Sequence, residues 1–115
     1  MIDYYDFGVM VIKGKRYTRD LIVFADAVFD GWWRREGHRV FLNDLDRILN
    51  CNPLPEILVI GTGYDGLVEV MPEVEETLRT KGIKLIVQPT REAYKTFNKL
   101  LGSGKNVAGA FHLTC

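Results

Sequence analysis

Three short apolar runs separated by segments of helical period constrain this chain more than any other feature. Ile57-Leu58-Val59-Ile60 carries no polar residue, the mark of a strand covered on both faces. Ile83 to Val87 and Val107 to Phe111 read as two further buried strands. Between the first two, Pro72 suits the first turn of a helix, with Glu73, Glu75 and Glu76 at its start and Arg79 and Lys81 at its end. Val74 and Leu78 give that helix an inner face, and Gly82 fits the left-handed position beyond its end. Between the second and third strands, Thr90 reads as the N-cap of a helix over Arg91 to Leu101. Ala93, Phe97, Leu100 and Leu101 form its apolar stripe, and Gly102 closes it. The order β-α-β-α-β over 57–115 predicts an α/β domain with a largely parallel sheet and right-handed crossovers.

Residues 1–35 read mainly as β. Phe7 to Ile12 and Arg16 to Phe24 flank the turn signal Lys13-Gly14-Lys15 and predict an N-terminal β-hairpin. Ala27 to Phe29 and Trp32 to Arg34 read as a further pair of extended pieces around Asp30-Gly31. In 43–50, Asn43 is placed to cap a short helix that buries Leu45, Ile48 and Leu49 and stops before Pro53. No linker or repeat interrupts the chain, so 1–115 reads as a single domain.

The 115 residues can bury roughly two-thirds of their unfolded surface without a covalent staple. The chain is 47% hydrophobic and 26% charged, which excludes a disordered polymer. No apolar run approaches the roughly 18 residues of a membrane span. Fifteen basic residues balance fifteen acidic ones, so no global field favours nucleic acid or an anionic membrane as a partner. The acidic, aromatic start Met1-Ile2-Asp3-Tyr4-Tyr5-Asp6 matches neither a secretory signal nor a mitochondrial presequence, which points to the cytoplasm. Two cysteines, Cys51 and Cys115, are expected as free thiols there.

Gly61-Thr62-Gly63-Tyr64-Asp65-Gly66 spells Gly-x-Gly-x-x-Gly directly after a buried strand. In a dinucleotide fold, such glycines let the backbone approach a pyrophosphate at the next helix N-terminus. Here Leu67 to Met71 separates the loop from the helix, and the following strand ends in Val87-Gln88-Pro89 without an acid for a ribose. A tight turn needing positive φ, or a close backbone approach, is the preferred reading of the glycines, and no cofactor is expected. Tyr64, Asp65 and Glu69 follow the loop without a partner at a diagnostic spacing. His112 and Cys115 are three apart, and on an extended strand they face opposite sides. Two histidines and two cysteines, widely spread, predict no metal site.

Trp32-Trp33-Arg34-Arg35 combines the residue types most enriched at interface hot spots. If the segment is extended, Trp32 and Arg34 share one face and Trp33 and Arg35 the other. One tryptophan is then core and the other exposed.

Four segments together resemble a known family: Ile57 to Gly63, Lys81-Gly82-Ile83, Thr96-Phe97-Asn98 and the close Val107 to Cys115. They are similar to the adipogenesis-associated domain-containing proteins, themselves related to the mitochondrial complex I assembly factor three proteins. Trp33-Arg34-Arg35-Glu36-Gly37-His38 sits where that branch carries a Trp-Arg-Glu-type segment. The resemblance implies a three-layer α/β domain with a central mixed, mostly parallel sheet and an added N-terminal hairpin. It also implies a family without an established catalytic activity.

Two functional readings follow. One is a non-catalytic protein-interaction or assembly module with a protein partner, its surface centred on Trp33 and Arg34. The other is a small-molecule or anion site, with or without catalysis, at the C-terminal edge of the parallel strands. It would use Gly61, Thr62, Gly63, Gly66, Gln88, Thr90 and Arg91.

Overall fold

A computed structural model describes residues 1–115. The expected hairpin is present: β2 (Val9–Ile12) pairs antiparallel with β3 (Lys15–Tyr17), Ile12 opposite Lys15. The two residues between them, Lys13 and Gly14, both have positive φ, which is the twist a two-residue hairpin turn requires. A further strand precedes this hairpin. β1 (Ile2–Asp6) pairs antiparallel with β2, and Phe7 lies in the turn joining them. A register shift between Ile2 and Tyr4 breaks the alternation of this polar stretch, so its pattern does not read as a strand.

The Arg16 to Phe24 run is not one strand. It divides into β3 and β4 (Leu21–Val23), which belong to different sheets. β5 (Val28–Asp30) pairs antiparallel with β4, whereas Trp32 to Arg34 belongs to no strand. Two-residue strands β6 (Arg39–Val40) and β8 (Glu69–Val70) form a parallel pair of their own. The short helical segment is a 3-10 turn, Leu42–Leu45, running into α1 (Asp46–Leu49). Asn43 lies inside it; Phe41 is the N-cap, and the Asp44 carboxylate accepts its N–H at 2.8 Å.

The C-terminal half follows the expected alternation: β7 (Ile57–Thr62), α2 (Pro72–Thr80), β9 (Lys84–Gln88), α3 (Thr90–Gly102) and β10 (Val107–His112). Gly82 occupies the left-handed position after α2. Its N–H bonds to Arg79 O and that of Ile83 to Leu78 O, so the last carbonyls are satisfied. In α3 the closing glycine is Gly104, with Gly102 still in the helix and Pro89, not Thr90, at the N-cap.

The main sheet has the order β5-β4-β10-β7-β9. β10, β7 and β9 are parallel, and β4 is antiparallel to its neighbours. Along β7, Ile57 and Val59 enter one core cluster with Ala93 and Phe97 of α3 and Ile2, Tyr5, Met10 and Ile12 of the N-terminal sheet. Leu58 and Ile60 enter the other, with Val74 and Leu78 of α2, Leu45, Ile48 and Trp32. The period of two thus places each helix on its own face.

Candidate functional site

From β7 the chain moves one way to β9, then crosses back over β7 to β10. In open α/β sheets ligands favour the crevice outside the carboxyl ends of strands at such a reversal. Here that crevice holds the Gly61 to Gly66 stretch, the end of β10 and the tail Leu113 to Cys115.

The loop amides are committed to the protein itself. Gly63 N–H donates to Thr90 Oγ1 at 2.9 Å. Tyr64 N–H donates to Thr114 O, Asp65 N–H to Cys115 O, Gly66 N–H to Gly63 O and Val68 N–H to Thr62 O. Thr90 N–H, at the start of α3, donates to Gly63 O at 2.9 Å. Its buried hydroxyl also donates to His112 O at 2.6 Å. Gly61 and Thr62 belong to β7 rather than to a loop. A Cβ on Gly61 would stand 2.7 Å from Thr90 Oγ1, so this glycine lets α3 approach the strand. Gly63 has φ +101°, and a Cβ there would meet Thr114 O at 2.3 Å. Gly66 supplies positive φ against Pro89. Gln88 Oε1 accepts from Thr96, and Arg91 Nε donates to Tyr64 O while its guanidinium covers the Tyr64 ring.

Beside this crevice lies a buried ionic network. Arg34, with only 5% of its side chain exposed, places Nη1 2.7 Å from Asp20 Oδ2. His112 Nδ1 lies 2.6 Å from the same oxygen, and Leu113 N–H donates to Asp20 Oδ1 at 2.8 Å. Arg34 Nη2 donates to Gly37 O at 3.1 Å and stands 2.6 Å from His112 Nδ1. Nδ1–H is taken to donate to Asp20 Oδ2, since a carboxylate only accepts. Burial is the largest influence on Asp20 and alone would raise its pKa. Hydrogen bonds from His112, Leu113 N–H and Arg34, with the His112 charge, outweigh it and hold the carboxyl below its usual range.

This network pins the segment that carries the tryptophans. Trp32 is buried, donates Nε1–H to Asp44 O at 2.9 Å, and carries the Arg34 guanidinium over its ring. Trp33 lies between these two anchored residues and is 77% exposed. The expected division into one core and one exposed tryptophan therefore holds, although the segment is not a strand. Trp33 and Arg34 do not share a surface, because Arg34 turns inward. Trp33 instead stands at the rim of an open cleft of about 560 Å³, with Ile22, Phe29 and Trp32 among its lining. Two exposed guanidinium groups flank it, Arg35 stacked on Phe41 and Arg47 stacked on Phe29.

Asp20 and His38 are functional candidates that sequence reasoning missed. Asp20 meets His112 across 92 positions, so no local spacing signals the pair. His38 Nε2 lies 2.9 Å from Cys115 Sγ. His112 bonds to Asp20, and Cys115, beyond the end of β10, meets His38. No group of three or more His, Cys, Asp or Glu side chains is arranged to hold a metal ion. No helix is long and apolar enough to cross a membrane.

Fold and site define a mixed α/β domain whose reversal-point crevice is occupied by its own tail. A family model described as a protein of unknown function (DUF498/DUF598) matches residues 2–112, and the chain belongs to that family. NADH dehydrogenase (ubiquinone) 1 alpha subcomplex assembly factor 3 of Xenopus tropicalis is 29% identical over 110 residues. That match covers 95% of this chain and 58% of the relative, so the chain spans little more than half of its length. A conserved hypothetical protein of Pyrococcus horikoshii OT3 is similar in structure, with TM-score 0.82, 25% identity and coverage of 100% and 99% of the two chains. An outer membrane protein of Bartonella henselae superposes with TM-score 0.84 at 25% identity, covering 99% and 94%. The chain thus has a distant relative named as a complex I assembly factor.

Proposed function

We propose that this chain is a non-catalytic docking module that engages a protein partner through Trp33 and the cleft beside it. The observation that carries the reading is the presentation of Trp33. Its neighbours on both sides are buried and bonded, so a large aromatic surface is held out with little ordering left to do on binding. Tryptophan and arginine are the residues most enriched where truncation costs an interface most. The relative named as an assembly factor supports the same reading. The resemblance to the adipogenesis-associated branch, a three-layer arrangement and a cytoplasmic location belong to this proposal.

The alternative of an anion or nucleotide at Gly61 to Gly66 finds less support. Its amides already have acceptors in Thr90 and the tail, and its glycines are needed for close approach.

The test is affinity capture from an extract of the source organism with wild type and Trp33→Ala. The exposed position predicts an unchanged melting temperature and loss of the captured protein. Equal capture by both would remove Trp33 from the contact surface.

A further inference from the structure

Docking through Trp33 makes no use of a thiol–imidazole pair at the crevice. Cys115 Sγ and His38 Nε2 are 2.9 Å apart, with the thiol half-buried and His38 exposed. His112 lies beside this pair. Its side chain is 93% buried by the 7% exposure that remains, and its Nε2 has no hydrogen-bond partner. Because Nδ1 faces Asp20 and Arg34, the opposite edge faces the tail. Its Cδ2 lies 3.1 Å from where a Gly63 Cβ would stand, and that point is 2.8 Å from Cys115 O. The His38 and His112 rings meet edge to face with centroids 6.5 Å apart. Two imidazoles and a thiol therefore converge outside the carboxyl ends of β7 and β10, where this sheet type presents its chemistry.

We propose that Cys115 is a nucleophilic thiol that reacts with hydroperoxides, with His38 as its proton acceptor. Sγ attacks one peroxide oxygen while its proton passes to His38 Nε2. The O–O bond breaks, and the leaving oxygen takes the proton back from His38. The products are a sulfenic acid on Cys115 and water or an alcohol. The sulfur is oxidised by two electrons and the peroxide is reduced by two. A base within hydrogen-bond reach of the nucleophile is the arrangement such activation needs. The inference is independent of docking through Trp33.

The chain supplies its own control. Cys51 is half-buried like Cys115, but its Sγ donates to the Arg47 carbonyl at 3.2 Å and has no base beside it. The experiment treats the purified protein with equimolar hydrogen peroxide, traps sulfenic acid with dimedone and maps the adduct by mass spectrometry. Cys115 is expected to label at least about tenfold faster than Cys51, and His38→Asn to slow Cys115 by about tenfold or more without a change in melting temperature. Equal labelling of the two cysteines in the wild-type protein would overturn the proposal. So would a Cys115 rate that His38→Asn leaves unchanged.

Discussion

Replacing Arg34 by methionine tests whether the buried network holds the Trp32–Arg34 segment in place. Methionine preserves much of the side-chain length and apolar contact but removes the charge beside Asp20, 2.7 Å from its carboxylate. Breaking a buried pair by deleting one partner costs about 3–5 kcal/mol, because the other charge stays behind. Asp20 keeps donors in His112 and Leu113 and is 18% exposed, which places the loss at the lower end, about 3 kcal/mol. For 115 residues the entropy of unfolding is about 0.24 kcal/mol/K, so the melting temperature should fall by about 12 °C. Urea unfolding at pH 7 gives the free energy directly. The double variant Arg34→Met with Asp20→Leu should lose less than the sum of the single changes, since the guanidinium and the carboxylate are then removed together. A loss below about 1 kcal/mol for Arg34→Met, or strict additivity, would refute the reasoning.

The same network predicts an acid limb. Asp20 has a folded pKa below its unfolded value, so its contribution is complete above about pH 4 and is lost as pH falls through the folded pKa. In Arg34→Met the folded pKa moves up toward the unfolded one, so the acid-dependent loss should shrink and end at higher pH, as pH-dependent urea unfolding will show. Gly63→Val places a side chain at φ +101° against Thr114 O, so it should unfold the tail or the whole domain, visible as loss of amide protection around Tyr64. Thr90→Val leaves Gly63 N–H and His112 O unpaired in a buried site, at about 1–3 kcal/mol each, measurable by thermal unfolding.

The β-α-β-α-β half was legible because its signals are local. The apolar run of β7 and Pro72 and Gly82 at the ends of α2 each act within a few residues. The N-terminal third was harder, for reasons visible in particular residues. Ile2 to Asp6 carries a register shift that scrambles its alternation, and Arg16 to Phe24 reads as one run although two sheets share it. At the site, alternation implied that one tryptophan of the pair is buried and the other exposed, without saying which. The inward turn of Arg34 does not follow from alternation, because it depends on Asp20 and on His112, 78 positions away. The glycine motif shows the same limit. Its spacing mimics a phosphate loop, while its acceptors come from Thr90 and a tail some 50 residues further along the chain.

The most direct test of docking through Trp33 is photo-crosslinking. A benzoylphenylalanine is placed at position 33 in one version of the protein and at position 7 in another. Phe7 is an equally aromatic control, 57% exposed in the turn between β1 and β2. Irradiation in an extract of the source organism should yield one dominant protein adduct from position 33 and none from position 7. Adducts of equal yield from both positions, or an adduct from position 7 alone, would contradict the account.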